Sequence, residues 1–131
     1  MLSTNRIAWG AGLLLAAVAT LSSVSNERVS ATFAGTVAHE GVSAHRFTVP
    51  HDGAVAVTLT GLGSTAPTKV GLGLGTPTAA GNCALVEAID ATRVKGQIDS
   101  MLRKGTYCVA VYDSGDVSAE PLDYTVSVTE E

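Results

Sequence analysis

Apolar and polar residues alternate in short runs along most of the chain. The clearest run covers residues 54–60, where Val55, Val57 and Leu59 alternate with small or polar neighbours. Alternate side chains of a strand point to opposite faces, so this run predicts a strand with one buried face. Gly, Pro, Asp and Ser separate such runs about every ten residues, which predicts an antiparallel β-sandwich or barrel. The predicted strands are residues 31–37, 44–49, 54–60, 70–75, 83–87, 107–112 and 124–128.

The segment from residue 88 to 104 fits two interpretations. Ile98, Met101 and Leu102 have the spacing of a helix face, and Ala, Arg and Lys favour helix. Gly96 and the short-period runs on either side favour a loop followed by a strand that leads into a turn at residues 103–105. We expect the strand, which brings the number of strands to about eight, and a short helix remains the alternative.

One predicted strand has glycine on a whole face. Val70, Leu72 and Leu74 alternate with three glycines at positions 71, 73 and 75. Glycine weakens a strand unless its missing side chain is needed. We therefore expect either that another part of the protein approaches this backbone closely or that the strand bends.

The first 25 residues have the order of a secretory signal peptide. A short polar opening with Arg6 precedes an apolar run at residues 7–21, and small residues follow. We predict cleavage after Ser25, with residues 29–31 as a second possible site. A retained membrane anchor is the alternative, because the stretch is only slightly shorter than the about 20 residues that span a bilayer. Its interior Ser, Thr and Gly residues make it a weak anchor.

Removal of this peptide leaves residues 26–131 as a single predicted domain that is secreted or periplasmic. A chain of 131 residues shortened by 25 has room for one domain and not for two. Without Arg6, the chain has seven basic and twelve acidic residues, which gives a net charge of −5 with His neutral. This charge argues against nucleic acid and against anionic membranes as partners.

Cys83 and Cys108 are the two cysteines of the chain. An even number of cysteines in an exported domain predicts a disulfide, and two free buried thiols are the alternative. The sequence has no Cys-x-x-Cys motif of the kind found in redox proteins.

Several segments of the chain, in order, resemble the bacterial pre-peptidase C-terminal domain family. They are TFAGTV, HRFTVP, GAVAVTLTGL, VGLGLGT, KGTYCVAVYD and LDYTVSVT, and the resemblance extends from residue 32 to residue 129. The most specific parts are Gly-Thr-Tyr at residues 105–107 and Tyr-Thr-Val at residues 124–126. The chain looks most like the stand-alone, signal-bearing members of this family.

The resemblance implies a jelly-roll-like β-sandwich, secretion and a non-catalytic role such as binding, targeting or autoinhibitory packing. Family members that bind calcium are expected to carry an acidic pair leading into the fourth strand. This chain has Thr68, Lys69, Val70 and Gly71 there. Calcium binding is therefore not carried over from the family.

Three histidines, His39, His45 and His51, recur every six residues and raise the question of a zinc or copper site. If the first two strands form a hairpin, His39 and His45 flank one turn and His51 lies at the other end of the second strand. Exposed loop histidines are then the simpler interpretation. A two-histidine surface site completed by Glu40 is the alternative.

An acidic cluster near the C-terminus is a weak candidate for Ca²⁺, which prefers several oxygen ligands. The cluster lacks the Asp-x-Asp-x-Asp-Gly order of a calcium loop, so a solvated acidic loop is the simpler interpretation. Its members are Asp113, Asp116, Glu120 and Asp123.

Asp113, Ser114 and Gly115 reproduce the Asp-Ser-Gly triplet of aspartic proteases, which need a second aspartate to share a proton. The triplet lies near the chain end instead of near the beginning, and Asp, Ser and Gly are ordinary turn residues. We interpret it as a turn. Tyr112, which precedes it, is the one mature aromatic residue expected to point away from the core, and this argues against a carbohydrate-binding module.

These observations predict an exported, non-enzymatic domain with a binding or structural role and no cofactor. The expected partner is another exported protein, bound through loops or an exposed sheet edge. A regulator or accessory domain of a secreted protease and a weak Ca²⁺ or Zn²⁺ binder are the alternatives.

Overall fold

A computed structural model describes residues 29–63, 68–93 and 95–131. These residues form eight antiparallel strands in two four-stranded sheets and no helix, which confirms the predicted all-β sandwich. The predicted signal helix and its cleavage position after Ser25 lie outside the described residues. In chain order the strands are β1 (Val29–Val37), β2 (Val42–Val49), β3 (Gly53–Leu62), β4 (Val70–Pro77), β5 (Cys83–Ala91), β6 (Gln97–Leu102), β7 (Gly105–Tyr112) and β8 (Leu122–Glu130).

The first sheet has the strand order β1-β8-β3-β6, and the second has the order β2-β7-β4-β5. This is the arrangement of an eight-stranded jelly roll, in which the chain crosses repeatedly between two facing sheets. Only β4 and β5 are consecutive strands that pair with each other. The strand order thus confirms the jelly-roll fold.

Strands β1 and β2 do not form the hairpin on which the sequence analysis placed His39 and His45. β1 pairs with β8 and β2 pairs with β7, in different sheets. An alternating pattern determines which face of a strand is buried, but it does not determine which strand lies beside it. Residues 38–41 therefore form a crossing between the sheets, and the hairpin assumption is wrong.

Apolar side chains from both sheets fill the space between them. Val55, Val57 and Leu59 of β3 are buried on one face, as their alternation predicts. Both Leu72 and Leu74 of β4 are also almost completely buried. The core residues are Val37, Phe47, Val49, Val55, Val57, Leu59, Val70, Leu72, Leu74, Ala91, Ile98, Val109, Val111, Val117, Tyr124, Val126 and Val128.

The glycine face of β4 lies on the outside of its sheet and is covered by neighbouring strands. The ring of Tyr112 occupies the place of a side chain at Gly71, so Tyr112 does point away from the core. At Gly73 a Cβ would lie 2.7 Å from the side chain of Leu85, which is closer than real Cβ atoms approach. The expected close approach to this backbone is therefore confirmed.

At Gly75 the covering atoms are backbone atoms of Ala84. The pairing of β4 with β5 shifts register between Leu74 and Gly75, so the start of β5 bends over the outer face of β4. This bend brings Cys83 to Cys108, which is paired with Gly75 on the other side of β4. The two cysteines form the predicted disulfide, with their Cα atoms 5.9 Å apart.

Residues 97–102 form strand β6, which confirms the strand interpretation over the helix. Ile98 is buried on the face that packs against the core, while Met101 is 77% exposed. The helical spacing of these residues is therefore coincidental, because a helix would have buried Met101 together with Ile98. Gly96 is required just before the strand, since a Cβ there would collide with Ala91.

The two ends of the sandwich carry different connections. Residues 38–41 and 113–121 lie at one end, and residues 50–52 and 103–104 lie at the other. In the part of the chain that the structure describes, no helix is long and apolar enough to span a membrane. Cleavage at the second possible site, residues 29–31, would remove the first residues of β1.

Candidate binding site

A cavity opens between the two sheets at the end that carries the β2–β3 and β6–β7 turns. The backbone N–H of Lys104 donates a hydrogen bond of 2.7 Å to a carboxylate oxygen of Asp52, which joins these two turns. The cavity has a volume of about 290 Å³, close to the lower limit for small-molecule sites. Its apolar walls are formed mainly by Ala31, Phe33, Phe47, Val49, Val55 and Val128.

A small residue at an inward position of β1 contributes to the lining of the cavity. Ala31, Phe33 and Val37 follow one another on the inward face of this strand, and Ala31 lies at the cavity. A larger side chain in place of Ala31 would extend toward Val128, its partner in register on β8. A larger side chain at this position would therefore reduce the volume of the cavity.

Glu130 supplies a carboxylate to this otherwise apolar cavity. It lies on the same inward face of β8 as Tyr124, Val126 and Val128, and it is only 7% exposed. Of the charged residues that the structure describes, Glu130 alone is buried. Its side chain forms no hydrogen bond or ion pair with another described residue. A buried charge without a partner is destabilising, so its retention needs a reason.

Arg46 contributes to the cavity lining from β2 but does not neutralise this carboxylate. It is exposed, in the outward phase of β2, between the inward residues His45 and Phe47. Within the described residues the ion pairs involve only His39, so Arg46 and Glu130 form none. The lining of the cavity thus includes a carboxylate that has no partner among the described residues.

Aromatic contacts hold the walls of the cavity in place. The ring of Phe33 stacks on the ring of His45, with centroids 4.9 Å apart. The ring of Phe47 stacks on that of Tyr107 at 6.0 Å. Because both phenylalanine rings have fixed neighbours, the cavity is largely formed before any ligand binds.

Next to the stacked rings of Phe33 and His45, a polar contact joins the two sheets. The hydroxyl of Tyr124 on β8 lies 2.5 Å from Oγ of Ser43 and 2.6 Å from Nε2 of His45, both on β2. Gly35 of β1 makes room for this hydroxyl, since a Cβ at that position would lie 2.7 Å from it.

Burial changes the acid–base properties of this group. Desolvation lowers the pKa of His45 and so favours its neutral form. Desolvation also raises the pKa of Tyr124, although its hydrogen bond with Ser43 acts in the opposite direction. Both rings are therefore neutral at ordinary pH, and Ser43 and His45 each bond to Tyr124 rather than to each other.

His39 and Asp113 lie at the opposite end of the sandwich, where they join two loops. Nδ1 of His39 lies 2.8 Å from the carbonyl oxygen of Val117 and 3.5 Å from a carboxylate oxygen of Asp113. The backbone N–H of Glu40 donates to Asp113 at 2.7 Å, and Glu40 has a positive φ of 58°. The side chain of Glu40 is exposed, with Oε2 3.8 Å from Nε2 of His39.

The carboxylate of Asp113 accepts hydrogen bonds from three backbone N–H groups. The donors are Glu40, Gly115 at 2.7 Å and Val117 at 3.1 Å. These bonds hold the pKa of Asp113 below its usual value, in the order Glu40, Gly115 and Val117. The Asp-Ser-Gly triplet is thus used to build a turn, as the sequence analysis interpreted it.

The hydrogen bond with the Val117 carbonyl raises the pKa of His39, and the nearby Glu40 and Asp113 add to this effect. Protonated His39 therefore strengthens the contact between the two loops. The side chain of His39 is 57% exposed, so solvent weakens this interaction.

The remaining acidic candidates are not gathered around Asp113. Asp116 accepts a hydrogen bond of 3.1 Å from the backbone N–H of Lys69, while Glu120 and Asp123 are exposed. His45 is occupied by Tyr124, and His51 is exposed at the cavity end of the sandwich. Within residues 29–63, 68–93 and 95–131, no group of three or more His, Cys, Asp or Glu residues is arranged to hold a metal ion.

Sequence reasoning did not find the cavity or Glu130. A signal for Glu130 was present, because it occupies the position after Val128 in the alternation of β8. A charged residue in an inward phase is unusual and marks a candidate site. The cavity itself has no such signal, since it depends on how two distant strands face each other.

The fold and the site together define a jelly-roll β-sandwich with an apolar cavity that contains one carboxylate. No family model matches the chain, and no curated protein matches it either.

Proposed function

We propose that the chain is an exported, non-enzymatic binding domain that takes a small apolar group into the cavity between β1, β2, β3 and β8. The observation that carries this proposal is the cavity of about 290 Å³ with its ordered apolar walls. The group is either a free small molecule or a side chain of another exported protein.

Two further observations support the proposal. The disulfide between Cys83 and Cys108 is consistent with an oxidising environment outside the cytoplasm. Two polar side chains that could act in catalysis are engaged in structural contacts, since Asp113 is held by three N–H groups and His45 by Tyr124. The resemblance to the pre-peptidase C-terminal domain family supports the same role.

The test fills the cavity with a larger side chain. Ala31→Leu places a bulky group on the inward face of β1, and Ala34→Leu places the same group on the outward, exposed face. Methyl NMR with benzyl alcohol should show shifts at Val49, Val55 and Val128 in the unmodified protein and in Ala34→Leu, but not in Ala31→Leu. Shifts that are absent or that survive Ala31→Leu contradict the proposal.

A second candidate function is the binding of an extended, basic segment of another exported protein by strand addition to β5. This strand is a sheet edge, and Leu85 and Val86 are 40% and 76% exposed on it. Glu87 and Asp90 give the edge a negative charge. Such a contact suits a regulator or accessory domain of a secreted protease.

This candidate is tested with a designed lysine-containing β-strand peptide. Val86→Lys introduces a repelling charge on the β5 edge, and Val42→Lys is the matched change on the β2 edge, where Val42 is 65% exposed. Loss of peptide binding in Val86→Lys alone is expected. Equal binding by both variants contradicts the edge as the docking site.

A further inference from the structure

We propose that the ligand of the cavity is an organic cation with a short apolar body, and that Glu130 is its counter-ion. This inference rests on the proposed binding function and adds the chemical class of the ligand. It follows from the burial, the isolation and the surroundings of Glu130.

Glu130 is buried and its side chain has no partner among the described residues. Its residue surface is only 7% exposed, and it lines the cavity beside Val55 and Val128. No donor among the described residues reaches its carboxylate. A buried carboxylate without donors is unfavourable, and an ammonium, amidinium or guanidinium group would supply both the charge and the hydrogen bonds that it lacks.

The walls of the cavity include two aromatic residues. Phe33 and Phe47 both line it, and aromatic faces attract organic cations as well as apolar groups. Their positions are fixed by His45 and Tyr107, so little ordering is needed when a ligand enters. The cavity therefore suits a ligand with a cationic head and an apolar body.

The lining of the cavity does not suit a bare metal ion. Ca²⁺ takes about six to eight oxygen ligands, and Zn²⁺ takes about four nitrogen, sulfur or oxygen ligands. Glu130 is the one acidic side chain in this lining, and the remaining neighbours are mainly apolar. One carboxylate among valine and phenylalanine side chains does not provide such a coordination shell.

The volume of the cavity limits the size of the ligand. A volume of about 290 Å³ holds on the order of ten non-hydrogen atoms, if each takes the roughly 30 Å³ of a water molecule. Benzylammonium is of this size, and so is the end of a lysine or arginine side chain from a partner. Larger ligands would have to extend out of the cavity, past Arg46 at its border.

The experiment compares three probes of nearly equal shape by calorimetric titration of the purified protein at neutral pH. Benzylammonium is cationic, benzyl alcohol is neutral and benzoate is anionic. We expect benzylammonium to bind more tightly than benzyl alcohol by about tenfold or more, as for a hydrogen bond between charged groups. Benzoate should bind most weakly.

Two variants locate the origin of this preference. Glu130→Gln keeps the shape of the side chain and removes its charge, so benzylammonium and benzyl alcohol should then bind about equally. Glu131→Gln is the matched control, because it removes the same charge from an exposed neighbouring position outside the cavity lining, and it should keep the preference for the cation. Because the probe comparison is made on the unmodified protein, it does not depend on the folding of either variant.

The outcomes separate this inference from the proposed function. If benzyl alcohol binds as tightly as benzylammonium, the cavity binds ligands but Glu130 does not select a cation, and only this inference fails. If benzoate binds most tightly and Arg46→Gln removes its binding, the ligand class is anionic and the inference also fails. If none of the probes binds, the proposed function fails as well.

Discussion

The hydroxyl of Tyr124 lies 2.6 Å from Nε2 of His45, and this contact joins strands that belong to opposite sheets. The same hydroxyl lies 2.5 Å from Oγ of Ser43, so two residues of β2 share one group of β8. Most of the surrounding core consists of Val and Leu side chains, whose contacts have no strong directional preference. The hydroxyl therefore helps to define how β2 and β8 face each other beside the cavity.

Tyr124→Phe should destabilise the protein by about 1–3 kcal/mol, because Ser43 and His45 lose a partner while they remain partly buried. Urea unfolding followed by circular dichroism measures this change. Tyr107→Phe is the control, since the Tyr107 hydroxyl donates to the carbonyl oxygen of Arg103 in an exposed position. An equal loss in both variants would contradict the importance of the contact between the sheets.

The lowered pKa of His45 makes the stability of the fold sensitive to acid. As the pH falls below about 6.5, the unfolded chain binds a proton at His45 while the folded protein does not yet do so. The free energy of unfolding should therefore decrease with falling pH in this range, and His45→Gln should reduce the slope. Urea midpoints measured at a series of pH values test this, and an unchanged slope would count against it.

His39 should act in the opposite direction. Its pKa is raised, so it stabilises the folded protein below about pH 6.5 and this contribution is lost as the pH rises through the folded pKa. His39→Gln should therefore steepen the acid-dependent loss of stability that His45 causes. Urea midpoints at the same series of pH values measure this change in slope. If the stability of His39→Gln depends on pH in the same way as that of the unmodified protein, the protonation of His39 has no role in stability.

The parts of the fold that depend on local alternation were predictable from the sequence. Val55, Val57 and Leu59 are buried on one face, and the disulfide joins Cys83 and Cys108 as expected. The glycines of β4 also indicated a close approach before the covering residues were known. In each case the prediction depended either on the pattern of a few neighbouring residues or on the chemistry of the two cysteines.

Features that depend on contacts between residues far apart in the sequence were not predictable in this way. Nothing in β1 indicates that it pairs with β8 instead of β2, because both pairings bury the same face. The cavity needs Ala31 and Glu130 to meet across two neighbouring strands, although they are separated by almost the whole domain. Only the inward phase of Glu130 gave a local hint of the candidate site.

Gly75→Ala should strongly destabilise the protein, because a Cβ at this position would collide with the backbone of Ala84, which cannot move aside as a flexible side chain can. Gly61→Ala is the matched control in β3. Its Cβ would lie 3.4 Å from the nearest atom of Thr125, an ordinary contact. Thermal unfolding should separate the two variants, and a melting temperature of Gly75→Ala close to that of Gly61→Ala would show that β5 does not bend tightly over β4.

Asp113→Asn should lower stability more than Asp116→Asn. Asp113 accepts three backbone hydrogen bonds, of which the one from Glu40 joins the two loops, whereas Asp116 accepts one, from Lys69. The lowered pKa of Asp113 also adds stability above about pH 3.8 that is lost as the pH falls through the folded pKa. Asp113→Asn should therefore be less sensitive to acid than the unmodified protein, and an unchanged acid transition would refute this role.

Glu130→Met should stabilise the ligand-free protein by about 1–3 kcal/mol, because an apolar side chain of similar length replaces a buried charge that has no partner among the described residues. The control is Glu131→Met, which removes the same charge from an exposed neighbouring position and should change stability by less than about 0.5 kcal/mol. Urea unfolding in the absence of ligand measures both effects. If Glu130→Met is instead destabilising, the carboxylate contributes to folding, and its retention needs no ligand to explain it. A gain in stability accompanied by loss of the preference for benzylammonium would be the pattern expected of a residue kept for binding at the expense of the fold.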